Sequence, residues 1–301
     1  MAPVAETEIR ALIDRLVEST EALAALGALI RLRVGGVETH DDVEEALREI
    51  VAALDGGESW DEIDVSALGS VLPRLLAVFQ ESLDLVSDPL RAPGWSYTDV
   101  RLLESQGAES ATFPAALHDQ IAPGLGDLAG RLGEPNARFL DVGVGVAGLS
   151  IAMCERWPSL TVDGLDPWAP ALELARRSVA AAKLAERISL RAQRVQELDD
   201  SGAFDLAWLP AAFLSADVMP VALERVTAAL RPGGWLLLAM YRGRGELGMA
   251  LARLRTVRSG GAALTSPDAE VLLADTGLAE IQTLPAEAWP PAVIVAGRKL
   301  P

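Results

Sequence analysis

Phe139-Leu140-Asp141-Val142-Gly143-Val144-Gly145-Val146-Ala147-Gly148-Leu149-Ser150 is the stretch on which the reading of this chain turns. A short apolar run suited to a buried strand feeds a glycine-rich turn, and Ile151-Ala152-Met153 continues as a helix. Glycine lets the backbone take positive φ and come close to a ligand, and the following helix offers unbonded N–H groups at its start. The run satisfies G-x-G-x-x-G through Gly143, Gly145 and Gly148, so a dinucleotide site is one reading. Asp166 follows the last glycine by 18 residues. That is close to the ~20 at which an acid meets ribose hydroxyls. Asp141 speaks for a different ligand. A carboxylate two residues before the first glycine would repel a pyrophosphate and attract a ligand that carries positive charge.

Working outward, short aliphatic runs at 137–142, 160–165, 188–194, 206–209 and 235–240 alternate with helical stretches. That alternation predicts a parallel sheet with helices on both faces. The chain ends differently, with a helix at 268–275, an apolar run at 278–284, a Pro-rich loop and a second run at 292–296. Two strands with no helix between them predict an antiparallel hairpin that closes the sheet.

Upstream the texture is helical. Ile9, Leu12, Ile13, Leu16, Val17, Thr20, Leu23 and Leu26 are spaced by threes and fours, which predicts an amphipathic helix over 4–33. A second helix is expected from Asp41 to the Gly56-Gly57 break, with acids at its positive end. A third spans about 65–86 and must tolerate Pro73 or bend there. Residues 89–96 read as a linker or substrate-side loop, followed by helices at 98–106 and 114–132. The expected organisation is a helical cap or dimerisation region over 1–90, a lead-in over 91–134 and a core over 135–301.

Composition narrows the class of function. The 301 residues are 50% hydrophobic and 5% aromatic, ample for a mainly aliphatic core. No uncharged apolar stretch approaches the roughly 20 residues that a membrane span needs, and Glu6 and Glu8 do not fit a secretory leader. One cysteine, Cys154, excludes an internal disulfide, and two histidines, His40 and His118, make a zinc cluster a poor reading. A soluble, cytoplasmic protein is expected. The net charge is −17, and residues 1–100 hold 20 acids against seven bases. Such a chain repels phosphate backbones, so nucleic acid is a poor partner. The acidic excess otherwise reads as a solvated face.

Residues 135–301 resemble the class I S-adenosylmethionine-dependent methyltransferases. Asp141-x-Gly143-x-Gly145 is similar to their first motif, with Ala147 at the usual third glycine and Gly148 after it. Val162-Asp163-Gly164-Leu165-Asp166-Pro167 resembles the second-strand motif, and Phe204-Asp205-Leu206-Ala207-Trp208-Leu209-Pro210 the fourth strand. Leu230-Arg231-Pro232-Gly233-Gly234-Trp235 looks like the turn into the fifth, and Asp275-Thr276-Gly277-Leu278 the entry to the terminal hairpin. The resemblance implies a Rossmann-like sheet, S-adenosylmethionine as cofactor, S-adenosylhomocysteine as product and methyl transfer to an O, N or C atom of a small-molecule acceptor such as a natural product. It also implies a role for Asp166 on the ribose hydroxyls, and cofactor contacts from Asp141, Gly143, Gly145, Ala147, Gly148, Pro167, Trp168 and Leu209. Where the family often places an acid near adenine, this chain has Gln193-Arg194-Val195. It also lacks Asn-Pro-Pro-Tyr after the fourth strand, which argues against amide and nucleobase amino methylation.

An acceptor hydroxyl or acidic carbon needs a base. His118 is the better placed histidine, and Tyr97, in Trp95-Ser96-Tyr97, falls where related enzymes close over the cofactor; a solvated histidine and a packing anchor are the plainer readings. Tyr241, Arg242 and Arg244 follow the fifth strand, at the edge where α/β sheets bind ligands. His40 reads as surface and Cys154 as an inert buried thiol. Rival functions are a catalyst that binds S-adenosylmethionine without transferring its methyl, an NAD(P)-dependent enzyme, and a scaffold. A homodimer through the N-terminal helices is also expected.

Overall fold

The computed structural model describes residues 6–36, 38–55 and 71–300. The chain divides into two compact units, Met1–Ser82 and Leu83–Pro301.

The first unit holds α1 (Glu6–Gly35), α2 (Asp41–Asp55) and most of α3 (Val71–Ser87), whose last residues belong to the second unit. Asp41, Asp42 and Glu44 occupy the first turn of α2, where carboxylates favour the positive helix end. Pro73 is the third residue of α3, a position whose N–H has no acceptor within the helix. The rest of the expected 65–86 helix, residues 65–70, lies outside the described residues. The apolar stripe of α1 does not behave as one face. Ala25, Leu29 and Ile30 are buried, whereas Ile9, Leu12, Ile13, Leu16 and Val17 are 47–55% exposed.

The second unit begins with α4 (Val100–Ser110), capped where Asp99 accepts the N–H of Leu102 at 3.0 Å. The single helix expected over 114–132 is not formed. Its place is taken by α5 (Phe113–Ala116), a π turn Leu117–Ile121, a 3-10 turn Ala122–Gly124 and α6 (Leu128–Gly133). Pro123 cannot donate to the ladder, and Gly126 reverses the chain at φ 56°.

Then comes the sheet: β1 (Arg138–Val142), β2 (Thr161–Leu165), β3 (Ile188–Arg191), β4 (Phe204–Pro210), β5 (Leu230–Tyr241), β6 (Ala279–Thr283) and β7 (Ala292–Arg298). Between them run α7 (Gly148–Arg156), α8 (Ala169–Ala181), α9 (Met219–Ala229), α10 (Gly245–Arg258) and α11 (Ser266–Asp275). The strand order is β3-β2-β1-β4-β5-β7-β6. Strands one to five are parallel, and β7 is antiparallel to both β5 and β6, as expected for the terminal hairpin. Strand β3 stops at Arg191, short of the expected 194, because the chain leaves the sheet toward a 3-10 turn at Val195–Glu197. The helix α10 had no expectation in the sequence.

Both faces of the sheet are covered, and side chains alternate between them with the period of two that strands impose. Phe139, Leu206, Trp208, Trp235 and Leu237 enter one core; Leu140, Val142, Leu209, Leu236 and Leu238 enter the other. The order reverses between β1 and β4, and in open α/β sheets a ligand crevice opens at that point, beyond the carboxyl ends of the strands. Among the described residues no helix is long and apolar enough to cross a membrane.

Candidate active site

The crevice is occupied by a cavity of about 510 Å³, within the range of small-molecule sites. One wall is the turn after β1. Gly143 and Gly145 take φ of 73° and 56°, and the N–H groups of Gly143 and Val144 both donate to the Leu165 carbonyl at 2.8 and 3.0 Å. Those bonds hold the turn against the end of β2. Ala147 caps α7 in the left-handed region at φ 67°, a strained place for a residue with a Cβ.

Asp166, immediately after β2, organises this wall. Its Oδ2 accepts the N–H of Gly145 at 3.0 Å and its Oδ1 that of Trp168 at 2.8 Å. Burial raises its pKa, and the two backbone donors oppose the shift without cancelling it. Trp168 is held through its indole N–H, which donates to the Tyr97 carbonyl at 2.8 Å. Gly143, Gly145, Asp166, Pro167, Trp168, Gln193, Arg194 and Val195 all line the cavity.

Four expected site residues are placed elsewhere. Leu209 points into the core on the opposite sheet face, and its neighbours Trp208 and Pro210 line the cavity instead. The strand period decides this. Gly148 and Ala147 stand outside the lining. The hydrogen of Gly148 faces the Gly107 carbonyl so closely that a Cβ would overlap it, so this glycine serves the packing of α4 on α7. Asp141, expected beside a cation, lies behind the turn. It is fully buried, its Oδ2 accepts the Ser150 hydroxyl at 2.6 Å, and desolvation pushes its carboxyl up to about 7.

Neither expected catalytic residue reaches the cavity. The side chain of His118 is 49% exposed on the π turn, where its Nδ1 is engaged by Asp119 and Arg156. The Tyr97 hydroxyl turns away into an ionic cluster, donating to Asp84 at 2.9 Å and receiving Arg91 at 3.1 Å. The same Asp84 oxygen accepts Arg91 Nε and Arg258 Nη2 at 3.1 and 2.6 Å. Tyr97 is therefore an anchor for the strap 91–97, whose Pro93, Gly94 and Trp95 do face the cavity. Arg242 donates to the Ala286 carbonyl and Arg244 is exposed at the start of α10; of that trio Tyr241 alone lines the cavity. His40 is exposed at the start of α2, and Cys154 is buried with its thiol pushed up to about 11 by burial.

In the other half of the cavity the sequence pointed to the loop 89–96 and to Tyr241 but not to Trp208, Phe213 or Trp289. Trp95 meets Phe213 edge to face at 5.0 Å, and Phe213 meets Tyr241 at 6.2 Å. Trp208 and Trp289 cross at 5.8 Å and 78°. These rings come from the strap, the end of β4, the turn after it, the end of β5 and the loop before β7. From α4 come Gln106, Glu109 and Ser110. Aromatic enrichment near strand ends was the available signal, and at 5% of the composition it was sparse.

Comparison with known proteins agrees with this geometry. Residues 139–234 match the family model of a methyltransferase domain. A proposed O-methyltransferase of Nostoc punctiforme is 18% identical with a TM-score of 0.62, over 96% of this chain and 99% of its own. The mitomycin 7-O-methyltransferase MmcR is 19% identical with a TM-score of 0.59, over 97% of this chain and 98% of its own. Human N-acetylserotonin methyltransferase is 16% identical with a TM-score of 0.60, over the full length, 100%, of both chains. No curated protein sequence matches the chain. The chain has the class I S-adenosylmethionine-dependent methyltransferase fold with an N-terminal helical region.

Proposed function

We propose that this protein transfers the methyl group of S-adenosylmethionine to an oxygen atom of a small-molecule acceptor, with S-adenosylhomocysteine as the second product. The observation that carries this reading is Asp166. It follows β2, next to the strand at which the order reverses, pins Gly145 and Trp168 by their N–H groups, and faces a cavity whose far side is aromatic. The residues present fit the cofactor. Each Asp166 oxygen holds one backbone donor and keeps acceptor capacity for a ribose hydroxyl. Gly143 and Gly145 remove side chains from the turn against which the amino-acid part would lie, and a Cβ at Gly143 would touch Pro210 at 3.4 Å. Trp168, Gln193 and Val195 would border the adenine.

When bound, the cofactor supplies an electrophilic methyl carbon on a positively charged sulfur, with a neutral thioether as leaving group. The protein then has to align the acceptor behind that carbon and exclude water. The aromatic rings on the far side suit that task. Oxygen as the receiving atom is supported by the names of two structural relatives, both O-methyltransferases. A net charge of −17 disfavours a nucleic-acid acceptor. The exposed stripe Ile9, Leu12, Ile13, Leu16 and Val17 on α1 supports a homodimer through the N-terminal helices, and the charge and composition suit a cytoplasmic protein.

Calorimetric titration with S-adenosylmethionine, S-adenosylhomocysteine, NADH and NADPH in parallel tests the reading. Binding of the first two alone is expected. Binding of a nicotinamide cofactor alone would overturn it. Recovery of S-adenosylhomocysteine on turnover then separates methyl transfer from chemistry that leaves the cofactor intact.

A further inference from the structure

We infer that Asp84 is a positioning residue of this site: through the strap 91–97 it fixes the indole of Trp168 on the adenine side and that of Trp95 on the acceptor side. This rests on the methyl-transfer reading and adds to it a residue that touches neither ligand.

The strap has little regular structure to hold it. Between Ser87 and Val100 the chain forms neither helix nor strand, so no ladder of backbone bonds fixes it. The Gly94 N–H donates to the carbonyl of Arg258, the last residue of α10, at 3.0 Å. Side chains supply the other ties, and they converge on one atom. Asp84 lies in the last turn of α3 and belongs to the second unit. Its Oδ2 accepts the Tyr97 hydroxyl, Arg91 Nε and Arg258 Nη2 together.

Arg91 draws the strap closed around that oxygen. Its Nη1 donates to the Gly94 carbonyl at 2.8 Å, its Nη2 to the Tyr97 hydroxyl at 3.1 Å, and its guanidinium lies 4.7 Å from the centre of the Tyr97 ring. The side chains of Arg91 and Arg258 are only 14% and 15% exposed. Two guanidiniums that close to each other and to the interior repel unless a carboxylate stands between them. Burial works against the charge on Asp84, but the Tyr97 hydroxyl, Arg258 and Arg91 outweigh it and hold the carboxyl below the ordinary carboxylate value.

From the anchored strap two contacts reach the site. The Tyr97 carbonyl accepts the Trp168 indole N–H at 2.8 Å, while the backbone N–H of Trp168 is held by Asp166. Trp168 is thus fixed by its backbone to the ribose-side acid and by its ring to the strap. Trp95 meets Tyr97 edge to face at 5.0 Å and Phe213 at the same distance. Trp95 and Tyr97 also pack against Leu103, Val146 and Leu174, and Val146 belongs to the cofactor turn. Both indoles line the cavity. Where the Tyr97 hydroxyl is held therefore decides where its carbonyl and ring lie, and with them the two indoles. Releasing Asp84 would leave the ligands to order the strap themselves, at a cost in affinity.

The test labels the full-length protein with 5-fluorotryptophan and follows its fluorine resonances by NMR. Those of Trp95, Trp168 and Trp235 are assigned by replacing each with Phe. Affinity for S-adenosylhomocysteine is measured by calorimetry. In Asp84→Ala the Trp95 and Trp168 resonances should shift or broaden, while that of Trp235, buried in the sheet core, stays in place. Affinity should fall by about tenfold, the scale set by losing hydrogen bonds to a charged group. Asp84→Asn keeps an acceptor without the charge and should fall between; it carries the test if the Ala variant does not fold. A purely structural role would lower the melting temperature and leave the resonances and affinity of the folded variants at wild-type values. That result would overturn the assignment. So would a fall in affinity with both indole resonances unmoved, moved resonances with unchanged affinity, or failure of both variants to fold. A wild type that does not bind S-adenosylhomocysteine would show, before any variant is made, that the underlying cofactor reading is the one at fault.

Discussion

Asp166 Oδ2 and the backbone N–H of Gly145 meet at 3.0 Å, so the acid that follows β2 holds the turn that follows β1. The two residues are 21 positions apart and follow neighbouring parallel strands. Cofactor contact and loop shape therefore depend on the same carboxylate, and they should fail together.

Asp166→Ala leaves the Gly145 and Trp168 N–H groups without their acceptor, and an unsatisfied buried donor costs about 1–3 kcal/mol. The affinity for S-adenosylmethionine should fall by at least about tenfold, measured by calorimetry. Normal affinity would remove Asp166 from the site.

Asp141 makes the protein without cofactor less stable as the pH rises from acid to neutral. Its carboxyl, pushed up to about 7 by burial, keeps its proton in the native state after the unfolded chain has released its own near 3.8. Between those values unfolding releases a proton, so stability declines as pH rises through that window and is level above it. Asn at this position can still accept the Ser150 hydroxyl and carries no charge. Asp141→Asn should melt higher than wild type above neutral pH, and the two should converge in acid. Parallel melting curves at every pH would refute the buried, proton-holding state.

Gly148→Ala places a methyl against the Gly107 carbonyl, where α4 crosses the start of α7. Overpacking of this kind costs about 1–3 kcal/mol. Urea denaturation should show the loss. Because Gln106, Glu109 and Ser110 of α4 line the cavity, a variant that still folds should also bind aromatic ligands less tightly. Unchanged stability would mean that the two helices are not in contact here.

His118→Ala should leave turnover and cofactor affinity within about twofold of wild type, since a solvated side chain outside the cavity contributes little to either. Tyr97→Phe removes a hydroxyl that donates to Asp84 and should lower stability by about 1 kcal/mol without removing cofactor binding. A drop in kcat of a hundredfold or more in His118→Ala would restore the histidine as a base.

The sheet was legible because parallel strands buried on both faces read as aliphatic runs, and the glycines and Asp166 mark the turns between them. Helices with strong local signals were legible too, such as α2 with its three acids in the first turn. The expectation failed over 114–132, where one helix was expected and the chain, with Pro123 and Gly126 in it, forms four pieces. Local pattern failed at α10, which has a scattered apolar distribution and exposes Leu247, Met249 and Leu251.

Sequence alone determined the strand–turn–helix at Asp141–Ser150, the acid at the end of the second strand, the antiparallel close of the sheet and the absence of a nucleic-acid signature in the charge. These are properties of neighbouring residues, of periodicity and of composition, and they survive without knowledge of distant contacts. Tertiary structure alone decided which residues face the cavity. Side-chain direction on β4 separates Trp208 from Leu209, a close helix crossing assigns Gly148 to packing, and the cluster at Asp84 turns the Tyr97 hydroxyl away. It alone brought Glu109 to the same opening as Trp289, 180 positions away in the chain. Such meetings are set by how helices and strands stack, and no spacing along the chain encodes them.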